Sequence, residues 1–195
     1  MFLDPGVRTF QTFYSSDGIC GKISNGQLQE NLQALAKKHD LLWSILNTPG
    51  KVNSKTKSRI KIKCAQIRHK MRCIIDDLHW QTCAFLCKHF QNIFLPEFKV
   101  SDMVEGSPLG SKITRKMLQL SHGKFRERLI YYAKTKHRNL YITTEEYTTK
   151  TCGACGHIQD MGGQKIYKCK NCDVEIDRDY NGARNICLKV VTKYA

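Results

Sequence analysis

The sequence predicts an α/β protein: a mixed sheet flanked by helices, with a small zinc ribbon inserted before the last helix. Three observations point there. A β-rich stretch with turn chemistry opens the chain. Long runs of helical spacing then alternate with short apolar runs. Finally, a Cys-x2-Cys pair at Cys152 and Cys155 is followed by a second at Cys169 and Cys172, just ahead of Asp177-Arg-Asp-Tyr-Asn.

Phe2 to Tyr14 is rich in β-branched and aromatic residues, Ser15-Ser-Asp-Gly is turn chemistry, and Ile19 to Ser24 returns as a second strand, so a hairpin is expected. Asp4 lies near the start of the first strand, followed by Pro5-Gly6, where a small residue lets a ligand approach the backbone. Asp at a strand end is also common for purely local reasons. Leu28, Leu32, Leu35, Leu42, Ile45 and Leu46 predict a helix over 27–46, stopped by Thr48-Pro-Gly.

A second, longer helix is expected from about Lys55 to Phe90, on the spacing of Ile60, Cys64, Ile67, Met71, Ile74, Ile75, Leu78, Phe85 and Leu86. Its first half carries Lys55, Lys57, Arg59, Lys61, Lys63, Arg68, Lys70 and Arg72 and no acid, a one-signed face suited to a phosphate backbone. His79, inside this helix, reads as a core or supporting residue. Asn92 to Leu95 reads as a buried strand ended by Pro96-Glu97, and 100–111 as a loop. Ile113 to Lys136 is helical, with Met117, Phe125, Leu129, Ile130 and Ala133 inward and a break at Ser121-His-Gly. Asn139 to Thr143 is expected as a last central strand, followed by Glu145-Glu146.

Composition narrows the partners. In 195 residues the net charge is +15, which favours a polyanion, nucleic acid ahead of a membrane surface. Of ten cysteines, six are scattered, mostly along helical patterns, as reduced intracellular thiols are, and not as a disulfide framework. Neither a secretory leader nor a membrane-spanning run is visible, so a soluble intracellular protein is expected. Its compartment would be the nucleus in a eukaryote, and otherwise the cytoplasm or a virus-infected cell. No oligomeric state can be read.

The four paired cysteines are the strongest local signal. Each Cys-x-x-Cys turn aims two thiolates at one tetrahedral ion, and four thiolates leave no position for water, which describes structural zinc. An iron–sulfur cluster or two redox dithiols are the alternatives. The carboxylates at element ends, Asp4, Glu97, Glu145, Glu146, Asp177 and Asp179, form a set of the type that two-metal phosphodiester cleavage needs.

Taken together, Thr148-Thr-Lys-Thr-Cys-Gly-Ala-Cys-Gly-His and Asp177-Arg-Asp-Tyr-Asn-Gly-Ala-Arg-Asn-Ile resemble the C-terminal signature of TnpB proteins. Asp76-Asp-Leu-His-Trp, Leu95-Pro-Glu-Phe-Lys, Leu120-Ser-His-Gly-Lys-Phe-Arg and Glu145-Glu-Tyr-Thr-Thr-Lys-Thr-Cys are most similar to the Fanzor branch. The resemblance runs from Asp4 to about Leu188. It implies an RNase H-like RuvC nuclease core over 1–147 with a helical insert at about 27–90, a ribbon over 148–176, and the last RuvC motif with the C-terminal helix over 177–195. It also implies DNA cleavage guided by RNA, with catalytic Mg²⁺, two ions by analogy, held by an Asp–Glu–Asp set.

Asp4 matches the first motif, and Asp179 the last, with Asp177 as its alternate. For the middle carboxylate the order is Glu145, then Glu146, then Glu97. TnpB places its glutamate where this chain has Pro96, and a shift of one residue along a strand turns a side chain to the other face. The chain also starts almost on the first motif, which implies a nuclease shortened at its N-terminus. The competing expectation is an inactive transposon remnant that binds nucleic acid through its ribbon and basic helix.

Overall fold

The computed structural model describes residues 1–24, 26–50, 52–98, 110–143, 148 and 150–194. Strands β1 (Phe2–Pro5), β2 (Gln11–Tyr14) and β3 (Cys20–Ile23) form an antiparallel meander. The expected first strand of a hairpin is therefore two strands. Gly6 donates its N–H to the Phe10 carbonyl, closing a turn that returns the chain beside β1. Pro5, which lacks an N–H, sits at the end of β1 where this turn begins.

Helices α1 (Gly26–Asn47) and α2 (Ser54–His89) follow. They match the expected spans closely, and Asn53 caps α2 by accepting a hydrogen bond from the Thr56 N–H. Next come β4 (Asn92–Pro96), α3 (Ser111–Leu120), α4 (His122–Thr135) and β5 (Asn139–Thr143). Ser121 separates α3 from α4 with a left-handed backbone (φ 49°), as its surroundings led one to expect. Most of the expected loop at 100–111 lies outside the described residues.

The sheet order is β3-β2-β1-β4-β5, with β4 parallel to β1 and β5 parallel to β4. Thr143 thus ends an edge strand and not a central one, because β5 enters beside β4 and no later strand among the described residues joins the sheet.

Helices cover both faces. On one, Leu3, Phe10, Ile93 and Leu95 pack against Ile75, Cys83, Leu86 and Cys87 of α2 and Phe125, Leu129 and Ala133 of α4. Each fully buried side chain of this kind contributes roughly 1.5–3 kcal/mol. Ile130, expected inward, is 48% exposed, and Phe85, one of the positions that set the spacing of α2, is 39% exposed. The buried stripe of α4 runs Phe125–Leu129–Ala133 at four-residue steps, and Ile130 lies one position off it. His79 is fully buried, as expected of a core residue. Arg128 can only donate, so His79 Nδ1 accepts from it at 3.1 Å and Nε2 donates to the Leu120 carbonyl at 2.9 Å.

On the opposite face, Phe2, Tyr14 and Phe94 pack against Ile186, Cys187 and Val190 of α5 (Arg178–Tyr194). Between β5 and α5 lies the ribbon, whose hairpin is β6 (Ile166–Lys168) and β7 (Glu175–Asp177). Among the described residues no helix is long and apolar enough to cross a membrane.

Candidate functional site

Strand register places Asp4. Phe2 and Asp4 alternate onto one face, and that face carries α5. Across the sheet Asp4 pairs with Thr12 and Thr12 with Lys22. On the other side, Phe2 pairs with Phe94. Continuing the register sets Pro96 opposite Asp4, and Pro96 pairs with Thr143. One row therefore reads Lys22–Thr12–Asp4–Pro96–Thr143. The neighbouring row is fixed by stacked rings, Phe2 on Phe94 and Phe94 on Tyr141, each at 4.7 Å between centroids and 15° between planes.

The Asp4 carboxylate reaches α5 at Gly182. A Cβ at Gly182 would meet Asp4 Oδ2 at 2.6 Å, so the absent side chain is what admits the carboxylate. Asp179 lies three residues before Gly182, and residues so spaced on a helix have Cβ atoms about 5–6 Å apart. Asp4 and Asp179 thus both lie at the N-terminal end of α5, Asp4 beside Gly182 and Asp179 about one helical turn before it.

Asp177 has a different task. Its Oδ1 accepts the N–H groups of Asp179 (3.0 Å) and Tyr180 (3.3 Å), which makes it the N-cap of α5. Its Oδ2 takes the Lys22 ammonium at 2.7 Å, and the same ammonium lies 3.4 Å from Asp179 Oδ2 and 4.9 Å from the Tyr180 ring centroid. Burial pushes the Asp177 carboxyl up, but the Lys22 hydrogen bond and the two amides outweigh it and hold it below the usual range. Partial burial lowers Lys22 less than its two carboxylate partners raise it, so it stays charged.

The remaining candidates divide. Glu97 extends β4 by donating its N–H to the Thr143 carbonyl at 2.8 Å. Its carboxylate lies 3.9 Å from Arg126 of α4, the helix on the face opposite Asp4. The structure therefore does not bring Glu97 to the aspartates. Glu145 and Glu146 lie outside the described residues. Lys55, Lys57, Arg59, Lys61, Lys63, Arg68, Lys70 and Arg72 are all exposed on α2, with Arg68 3.1 Å from His39 of α1.

In the ribbon, the Sγ atoms of Cys152, Cys155, Cys169 and Cys172 all lie within 4.8 Å of one another. Cys152–Cys172 is 3.7 Å and Cys155–Cys169 is 3.6 Å. A tetrahedral site with metal–sulfur bonds of about 2.3 Å has edges of about 3.8 Å, and a disulfide would need about 2.05 Å, so the set fits zinc. Hydrogen bonds, first from Asn171 and then from the His157 backbone, hold the Cys155 thiol down at about 6. Among the described residues no second group of three ligating atoms closes to that span. Asp4, Asp177 and Asp179 share a neighbourhood and not one tight coordination sphere.

Sequence reasoning missed the residues that join ribbon to helix. Asn181 donates to the Thr151 carbonyl (2.8 Å) and accepts from the Gly153 N–H (3.1 Å). One turn on, Asn185 donates to the carbonyls of Thr148 and Thr151, both at 2.7 Å. Both side chains are buried. Two asparagines four apart at the start of a helix were the available signal, since buried amides need partners and none stood nearby in sequence. Lys22 and Gly182 were missed too; register across three strands places the first, and only contact with Asp4 explains the second.

A five-stranded mixed sheet of this order, with helices on both faces and the last helix set against the first strand, is an RNase H-like fold of the RuvC type. In agreement, a cryo-EM structure of a Cas12f1–sgRNA–target DNA complex superposes with a TM-score of 0.67 at 16% identity, covering 95% of this chain and 48% of that one. The family model described as "Cas12f1-like, TNB domain" matches residues 122–186. A TnpB-like protein of Acanthamoeba polyphaga mimivirus is 31% identical over 98% of this chain and 37% of its own length. A putative transposase of Paramecium bursaria Chlorella virus 1 is 32% identical over 96% of this chain and 42% of its own. The chain is thus similar over nearly its whole length to TnpB-like proteins and putative transposases, and it spans about two fifths of the length of these relatives.

Proposed function

We propose that the chain is the RuvC-like, Mg²⁺-dependent DNA endonuclease core of a transposon-associated, RNA-guided nuclease of the TnpB type. The observation that supports this most is Asp4 seated under Gly182, one helical turn from Asp179. In this reading Asp4 and Asp179 hold divalent cations, with Glu145 as the third carboxylate. The gap left by the missing Gly182 side chain is room that the Asp4 carboxylate uses. Bound Mg²⁺ would polarise the scissile phosphate and acidify the attacking water.

The protein's own part is placement. β1 and α5 fix the two aspartates, and Asp177 caps the helix so that Asp179 keeps its direction. The four cysteines hold structural zinc, and the exposed basic half of α2 contacts the sugar–phosphate backbone. Relatives described by their names as a Cas12f1 endodeoxyribonuclease and by an sgRNA–target DNA complex make DNA and a guide RNA the partners of choice.

One observation favours a second reading, a nucleic-acid-binding remnant without cleavage: Pro96 occupies the Asp4 row where a third carboxylate could have stood. Both readings are tested by incubating the chain with single-stranded and nicked-circular DNA in Mg²⁺ or EDTA. Cleavage that needs Mg²⁺ and is lost in Asp4→Asn and Asp179→Asn, with DNA binding kept, supports the nuclease. Binding with no cleavage under any of these conditions supports the remnant.

A further inference from the structure

Lys22 stands where a divalent cation would compete with it. It projects from β3 on the Asp4 row, and its ammonium contacts carboxylate oxygens of both Asp177 and Asp179. Most exposed lysine–carboxylate pairs are loose and individually weak. This one differs in three ways. Its side chain is only 26% exposed. The Tyr180 ring braces it at 4.9 Å. Its second partner is the carboxylate that the nuclease reading assigns to metal, whereas its first is committed to capping α5. The two contacts are unequal, 2.7 Å to Asp177 and 3.4 Å to Asp179, so Asp179 can be released while Lys22 stays anchored on the cap.

We propose that Lys22 is a positioning residue that competes with Mg²⁺ for Asp179. The proposal rests on the metal-binding reading of Asp4 and Asp179. Without a divalent ion, the ammonium offsets part of the negative charge of Asp177 and Asp179 and keeps the Asp179 carboxylate aimed across α5 toward the Asp4 row. When the ion arrives, Asp179 exchanges one cation for another without a large change of direction. The cost is a higher Mg²⁺ requirement, because each binding event must displace a resident positive charge.

The test is a Mg²⁺ titration of the zinc-loaded chain at constant pH and ionic strength, read by the thermal unfolding midpoint so that catalysis is not needed. The native chain, Lys22→Gln and Lys22→Arg are compared, with Asp179→Asn to show that the response comes from this site. The expected result is a Mg²⁺ midpoint at least fivefold lower in Lys22→Gln, equivalent to about 1 kcal/mol. Lys22→Arg should stay within twofold of native, and Asp179→Asn should abolish the response. Equal midpoints in native and Lys22→Gln overturn the role of Lys22 alone, as does a shift in Lys22→Arg as large as that in Lys22→Gln. Absence of any Mg²⁺ response in both native and Lys22→Gln overturns the metal reading and the Lys22 proposal with it.

Discussion

Replacing Gly182 by alanine separates folding from function. In a helix interior, glycine to alanine is ordinarily favourable by up to about 1 kcal/mol, because alanine restricts the unfolded backbone. Here the new methyl carbon would lie 2.6 Å from Asp4 Oδ2 and 3.3 Å from its Cγ. Ordinary contact begins near 3.4 Å, so the oxygen must withdraw by 0.8 Å (3.4 − 2.6). Asp4 can do so by rotating its carboxylate, which moves the side chain and spares the backbone. A ligand displaced on the order of 1 Å costs roughly 100-fold in rate. Gly182→Ala is therefore expected to unfold at the native temperature or up to about 2–4 °C above it, while Mg²⁺-dependent cleavage falls about 100-fold. Differential scanning calorimetry and initial rates of DNA cleavage measure the two sides. Native-level cleavage in this variant would refute the assignment of Asp4, and a large fall in unfolding temperature would show that the backbone, not the carboxylate, had yielded.

Three other perturbations bear on the ribbon, the core and the basic helix. Asn185→Ala leaves the carbonyls of Thr148 and Thr151 without this donor. A loss of about 1–3 kcal/mol in urea unfolding is expected, together with faster loss of ribbon zinc to a chelator. His79 and His122 are both lowered to about 4, by burial first, and each stacks on Phe10. Their ordinary value is 6.5, so the stability they carry is complete above that pH and is lost as pH falls toward about 4, on the order of 3 kcal/mol for each. A flat stability profile across that window would contradict the burial of neutral rings. Changing Lys57, Lys61 and Arg68 to glutamine should weaken binding to duplex DNA and reduce the slope of log K against log salt by about 0.9 for each phosphate contact removed. An unchanged slope in a salt titration would place the DNA elsewhere.

Helix spans came straight from spacing: α1 and α2 follow their apolar periodicity to within a residue or two of the expected ends. The cysteine pairs were equally legible, because the Cys-x-x-Cys turn is local chemistry. What could not be read was anything that depends on which strand lies beside which. The turn between β1 and β2 falls at Pro5-Gly6, inside a stretch otherwise rich in β-branched and aromatic residues, and the edge position of β5 is a matter of topology. The same gap hid Lys22, distant in sequence from the aspartates it meets. Local chemistry also has a limit at Asp177. It carries the same carboxylate as Asp179, yet its cap to the following amides shows only when the helix start is in place.

β7 ends at Asp177 and α5 begins at Arg178, with no connecting residue between them. Because the ribbon passes directly into the helix, the joint has no slack. A single residue inserted there would turn the helix by about 100° relative to the ribbon. Asn181 and Asn185 would then swing away from the knuckle they grip, and Asp179 would turn with them. Length variation among relatives of this chain should therefore be found in the tip of the ribbon hairpin and be absent from the junction, so that knuckle and aspartate are inherited as one unit.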